Sequence, residues 1–233
     1  MSEMGSENDG PVRHEEAPLD PERLEIFIES MTGDIPSDLQ DLKEECMEDN
    51  LPVIRQPAER LLRLLITMKR PEKVLEIGTA AGYSALFMMR YMKAGARLDT
   101  IESFHERAEM ACYNFRKFGL SDRITLFEGD AGQILSKLNN QYDFIFLDAA
   151  KGQYISWLPE IIRLMAPGAL LVSDNVLRDG SILMSHFVIP RRMRTINKRM
   201  RQYLKAVSED ERLVTDIINA GDGMTVSVRK YDV

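Results

Sequence analysis

The stretch FLDAAKGQY, Phe146 to Tyr154, runs from an apolar segment into an acid, Asp148, and then an amine, Lys151, three residues on. A second apolar run, LLVSDNVL, ends in Asp174 and Asn175. Two carboxylates and an amide oxygen are hard-oxygen donors, a set that suits Mg2+, with Mn2+ or Ca2+ as alternatives. Each half has a plainer reading: Ser-Asp-Asn is common turn chemistry, and a lysine often only solvates a helix start. The two halves together point to a metal centre with an amine beside it. Such an amine removes a proton from a hydroxyl or stays charged beside an oxyanion, and the residues leave both roles open.

A second group suggests a nucleoside. EIGTAAGYS has the spacing Glu76-x-Gly78-x-x-x-Gly82, between an apolar strand and a helix. Glycines let the backbone turn tightly and approach a ligand, and a helix N-terminus offers free N–H groups. The spacing differs from the dinucleotide Gly-x-Gly-x-x-Gly, so no pyrophosphate is implied. Glu102 ends the next strand, where an acid can accept from both ribose hydroxyls. Asp130, after the third strand, could accept from an adenine amine. Either acid alone reads as a solvated loop residue. At successive strand ends they favour a nucleoside ligand.

These residues need a scaffold that brings strand ends together. From Pro71 the chain alternates short apolar strands with helical runs, such as KVLEIG with SALFMMRYM and YDFIFLDAA with YISWLPEIIRLM. That alternation predicts an α/β fold with a mostly parallel sheet and helices on both faces. FHERAEMACYNFRKFG places Phe104, Ala108, Ala111, Phe115 and Phe118 near one helical face, and Cys112 reads as a small buried hydrophobe on that helix. Three helices precede the core, over residues 20–70, and the end of the chain, LVTDIIN to MTVSVRK, reads as a closing hairpin. Residues 1–19 are acidic and read as a disordered tail, leaving one domain over 20–233, its α/β core at 71–233.

Composition narrows the class. The 233 residues are 44% hydrophobic and 29% charged, as in an ordinary globular protein. A net charge of −7 argues against nonspecific nucleic-acid binding over the whole surface. No apolar run is long enough for a bilayer, the polar start is not a signal peptide, and Cys46 and Cys112 form no metal pattern, so a cytoplasmic location is expected.

Glu76-Ile77-Gly78, Asp148-x-x-Lys151 and Asp174-Asn175 together resemble the cation-dependent, class I S-adenosylmethionine O-methyltransferases, the catechol and caffeoyl-coenzyme A group. The similarity covers about residues 40–230. DAAKGQY, DNVLRDG and GDGMTVSVRK look most like the branch that methylates 5-hydroxyuridine in bacterial tRNA. The resemblance implies a Rossmann-like, seven-stranded sheet with its last strand antiparallel, and a homodimer. It implies cofactor contacts from Ser84, Glu102, Asp130 and Asp148, with Glu76, Gly78 and Gly82 forming the loop and Ile54 covering the cofactor.

The acceptor is less constrained. A catechol offers vicinal oxygens, and 5-hydroxyuridine offers a hydroxyl beside a carbonyl. In RRMRTINKRMRQYLKAV, Ile196, Met200, Tyr203 and Val207 share one helical face, with Arg194, Lys198, Arg201 and Lys205 near the opposite one. With Arg191, Arg192 and Arg199 they form a basic strip, and residues 190–205 hold no acid. The plain reading is a solvated face; the functional one is a phosphate grip. The resemblance to the tRNA branch, more than the strip itself, tilts the expectation to tRNA, with a small catechol-like acceptor as the alternative and a non-catalytic nucleoside- or RNA-binding module as a third class.

Overall fold

The computed structural model describes residues 20–178, 180–185 and 188–231. The acidic tail expected over residues 1–19 lies outside the described residues. The chain divides into two units, 1–36 and 37–233. In the first, helix α1 (Pro21–Met31) starts on Asp20, whose side chain accepts from the Glu22 amide at 3.1 Å. Its Ile26, Phe27 and Met31 are exposed. The sequence reading began a single domain at residue 20. The larger compact unit begins at Ser37.

In the second unit, α2 (Ser37–Glu48) and α3 (Gln56–Lys69) bury Leu39, Leu42, Cys46, Ala58, Leu62 and Ile66. The α/β core follows as β1 (Lys73–Ile77), α4 (Tyr83–Tyr91), β2 (Arg97–Glu102), α5 (His105–Lys117), β3 (Ile124–Glu128), α6 (Ala131–Lys137) and β4 (Tyr142–Leu147). It continues through α7 (Tyr154–Leu164), β5 (Met165–Ser173), α8 (Arg191–Glu209), β6 (Leu213–Ile218) and β7 (Met224–Arg229). The seven strands form one sheet, ordered β3-β2-β1-β4-β5-β7-β6. Pairs from β3 to β5 are parallel, and β7 runs antiparallel to both β5 and β6.

The strand pleat explains why the core is apolar on both sides. Leu75, Ile77, Ile145 and Leu147 join the cluster that includes Leu158 and Ile161 of α7 and Met200 and Tyr203 of α8. Val74, Phe144 and Phe146 alternate with them and are also fully buried, outside that cluster. Successive side chains point to opposite faces of a strand, so both faces are covered, as parallel sheets require.

Strand β5 starts at Met165, ahead of Pro167 and Gly168, and its pairing register with β4 slips between Tyr142 and Phe144. One local expectation changes. On α5, Ala108, Ala111 and Phe115 are buried as read, but Phe104 is 58% exposed and Cys112 only half-buried. Asn114 takes the buried place, its Nδ2 donating to Ala81 O at 2.9 Å. A hydrophobicity pattern cannot anticipate an amide that is buried because a loop carbonyl needs a donor.

The order of strands reverses between β1 and β4. β2 and β3 lie to one side of β1, β5 to the other side of β4. In open α/β sheets the crevice beyond the carboxyl ends of such strands is where ligands bind.

Candidate active site

Gly78 follows β1 and Asp148 follows β4, and the two loops touch. Gly78 has φ +105°, and a Cβ there would lie 2.1 Å from the Asp148 carbonyl oxygen. Only glycine fits both the backbone conformation and the space. Gly82 is tight for a different reason: it caps α4 at φ +86°, and a Cβ would meet the Phe115 ring at 2.6 Å. It closes helix packing rather than facing the crevice.

A cavity of about 550 Å3 opens at these strand ends. Among the residues singled out from sequence, Ile54, Gly78, Ser84, Glu102, Asp130, Asp148, Lys151, Asp174 and Asn175 all line it. Glu76 and Gly82 are not in its lining. The α8 residues stand elsewhere.

On the nucleoside side, Glu102 is buried, and three backbone amides hold its carboxylate. Ala80 N donates to Oε2 at 2.9 Å; Ser103 N and Phe104 N donate to Oε1 at 2.8 and 3.0 Å. Asp130 caps α6, accepting from Gln133 N at 2.9 Å, and its remaining acceptor capacity faces the cavity wall. Glu76 is fully buried and supports the site from beneath. It accepts from Ser84 Oγ and Thr100 Oγ1, each at 2.6 Å. Desolvation pushes its pKa up to about 8, so the carboxyl is largely protonated at neutral pH. It therefore orients Ser84 without presenting a charge to a ligand.

On the other side lie the two acids. Asp174 is 1% exposed, and its Oδ1 accepts from Asn175 N at 2.6 Å. Burial, then the nearby Asp148 charge, pushes its pKa up to about 7. Asn175 has φ +55°, a left-handed conformation that asparagine tolerates. Two carboxylates that repel each other in a buried setting form a place where a cation would be stabilised, so the donor set fits a hard divalent ion. Among the described residues no cluster of three or more His, Cys, Asp or Glu side chains occurs, so the candidate set rests on two acids and an amide.

Lys151 opens a short 3-10 turn, Lys151–Gln153. Its Nζ lies 2.5 Å from Asp148 Oδ1 and 3.1 Å from the Tyr154 hydroxyl. Burial alone would lower its pKa, but Tyr154 and then the Asp148 carboxylate together outweigh it and the net direction is upward. Of the two roles left open for Lys151, these contacts favour the charged one.

Three lining residues escaped the sequence reading. Phe104 stands beside Glu102 at the cavity wall, with the Arg107 guanidinium 4.9 Å from its ring centroid. Trp157, from α7, lines the cavity beside Asp130 and Gly132. Tyr83 donates to Glu59 Oε1 at 2.6 Å, and Lys43 closes that buried group. Phe104 had been absorbed into a core stripe. Trp157 offered one signal, being the only tryptophan of the chain.

The basic strip is partly engaged with the protein itself. Arg194 Nε donates to Ile189 O, Arg201 to Ile182 O and Met184 O, and Arg199 to Gly152 O. Lys205 lies 3.9 Å from Glu209. Arg194, Lys198 and Arg201 line a separate groove of about 300 Å3, while Arg191 and Arg192 stand exposed at the start of α8. On the inward face Met200, Tyr203 and Val207 are buried as read, Ile196 is half-buried, and Asn197 is buried because its Nδ2 donates to Ser181 O.

Comparison with known proteins gives this geometry a context. The family described as O-methyltransferase matches residues 29–230. A catechol O-methyltransferase of Niastella koreensis is 33% identical over 168 residues, covering 70% of this chain and 76% of that protein. A caffeoyl-CoA O-methyltransferase of Citrus natsudaidai is 27% identical, covering 83% of this chain and 88% of its own. Among solved structures, the O-methyltransferase from Bacillus cereus in complex with SAH superimposes with a TM-score of 0.78 at 23% identity, over 89% of this chain and 97% of that one, a likeness of fold. With the match spanning nearly all of the larger unit, the chain belongs to the O-methyltransferase family and is an enzyme of the S-adenosylmethionine-dependent methyl-transfer class.

Proposed function

We propose that this enzyme transfers the methyl group of S-adenosylmethionine to one of two vicinal oxygens on a small catechol-like acceptor, aided by Mg2+. The observation that carries the reading is the meeting of two kinds of chemistry in one cavity: Glu102 at one wall, and Asp148, Lys151, Asp174 and Asn175 at another. The catechol and caffeoyl-CoA relatives support the acceptor class.

Glu102 holds the ribose. A carboxylate has about four lone-pair sites, and three amides already use three, leaving room for one further short bond that the two hydroxyls share. Phe104 and Trp157 offer apolar ring surface for the base, and Asp130 the polar edge. Asp148, Asp174 and Asn175 would hold the cation, whose charge favours the ionised form of an acceptor hydroxyl. Lys151, kept as an ammonium, adds a positive hydrogen-bond donor beside the same oxygen. In the displacement the acceptor oxygen gains the methyl, the sulfonium becomes a neutral thioether, and the hydroxyl proton passes to solvent. Residues that align donor and acceptor supply much of the rate.

A tRNA acceptor is the second reading, favoured by the groove where Arg194, Lys198 and Arg201 converge without a carboxylate among its described lining. One experiment addresses both. Radiolabelled methyl transfer is measured on a catechol panel and on tRNA carrying 5-hydroxyuridine, with EDTA and with added Mg2+. The proposal expects cation-dependent label in catechols. Label in tRNA alone would replace it with the second reading, and full turnover in metal-free enzyme would refute the cation role.

A further inference from the structure

The two acids that the proposed function assigns to a cation sit on different strand ends, β4 and β5, and some element has to set their spacing. Tyr154, the first residue of α7, is fully buried below them. Its hydroxyl lies 3.1 Å from Leu147 O and 3.4 Å from Asp174 O, and receives the Ala149 amide and Lys151 Nζ, each at 3.1 Å. One hydroxyl has one proton to give and two lone pairs. Both lone pairs are taken, and the proton serves a carbonyl from one of the two loops. We infer that Tyr154 is a positioning residue: its hydroxyl ties the Asp148 loop to the Asp174 loop and aims Lys151 at Asp148, so that the carboxylate pair is held ready before a cation arrives.

A neighbouring tyrosine provides the control. Tyr203 of α8 is equally buried and meets Tyr154 edge to face, with ring centroids 5.3 Å apart. Its hydroxyl bonds Ser173 Oγ, in the last residue of β5 next to Asp174, rather than a carbonyl or amide of the Asp148 or Asp174 loop. Tyr154→Phe and Tyr203→Phe each remove one buried hydroxyl from the same tyrosine pair, so a merely structural loss should weaken both alike.

The inference rests on the cation reading above, so wild-type Mn2+ binding is measured first, by paramagnetic resonance of free Mn2+. Tyr154→Phe should weaken Mn2+ binding roughly 10- to 100-fold, the usual loss when a group supporting metal ligands is removed. It should lower kcat with unchanged affinity for S-adenosylhomocysteine, and the Ala149 amide should exchange faster with deuterium. Tyr203→Phe should lose thermal stability yet keep wild-type Mn2+ affinity. Equal Mn2+ affinities in the two variants would overturn the inference. A wild type that binds no Mn2+ overturns the cation reading, and this inference with it. Should Tyr154→Phe not fold, wild-type exchange decides: the Ala149 amide should be protected without cation, and protection that arises only after Mn2+ is added would show the ion, not Tyr154, organising the loops.

Discussion

Replacing Glu102 by alanine tests the nucleoside wall most directly. Its carboxylate oxygens already accept from Ala80 N, Ser103 N and Phe104 N, which leaves one strong acceptor site for the ribose. A hydrogen bond to a charged group contributes about 1.5–3 kcal/mol, so Glu102→Ala should weaken cofactor binding roughly 10- to 100-fold. Two fully independent ribose bonds would predict a loss near the square of that. The side chain also holds the loop that carries Phe104, so part of the loss reflects looser ordering of that wall. Trp157, the single tryptophan, lines the same cavity, and its fluorescence during titration with S-adenosylhomocysteine reads the affinity without a label. Thermal melting confirms that the variant is folded. A folded Glu102→Ala protein with wild-type affinity would refute the ribose assignment.

Gly78→Ala should fail to form the site: the new methyl would strike the Asp148 carbonyl at 2.1 Å, and folding yield or cofactor affinity should collapse, whereas a soluble variant with normal affinity would contradict the loop geometry. Glu76→Gln should flatten the pH dependence of stability. The wild-type carboxyl has its pKa raised from 4.5 to about 8, so the native state binds the proton more tightly than the unfolded chain, and stability falls as pH rises between those values. An amide mimics the protonated form, so melting temperatures should show the variant gaining on wild type from pH 5 to 9; parallel curves would mean that Glu76 is not protonated in the fold. Lys198→Gln, in the groove apart from the cavity, should leave methylation of a catechol unchanged, and a large loss there would tie the groove to the small-molecule reaction.

Much of this enzyme was legible in order along the chain. Alternating strand and helix patterns predicted the parallel sheet, because burial on both faces demands continuous apolar strands and the period of the pattern is local. The acids Glu102, Asp130, Asp148 and Asp174 were legible because each ends a strand, and strand ends in such a sheet converge on one crevice. Only the tertiary structure decided which groups face that crevice and in what state of charge. Glu76 reads like a ligand residue in sequence, yet burial turns it into a neutral support for Ser84. Lys151 reads as either a base or a charged stabiliser, and its contacts with Tyr154 and Asp148 favour the charged form. Phe104 fits a core stripe by spacing but lies at a helix cap, where the side chain points away from the packed face. The basic strip of α8 shows the same limit: periodicity places arginines on a face, but their engagement depends on the Ile182, Met184 and Ile189 carbonyls that the folded chain brings within reach. Patterns along the sequence report which surface a residue occupies; desolvation and partner distance, which set its charge and role, exist only once distant segments meet.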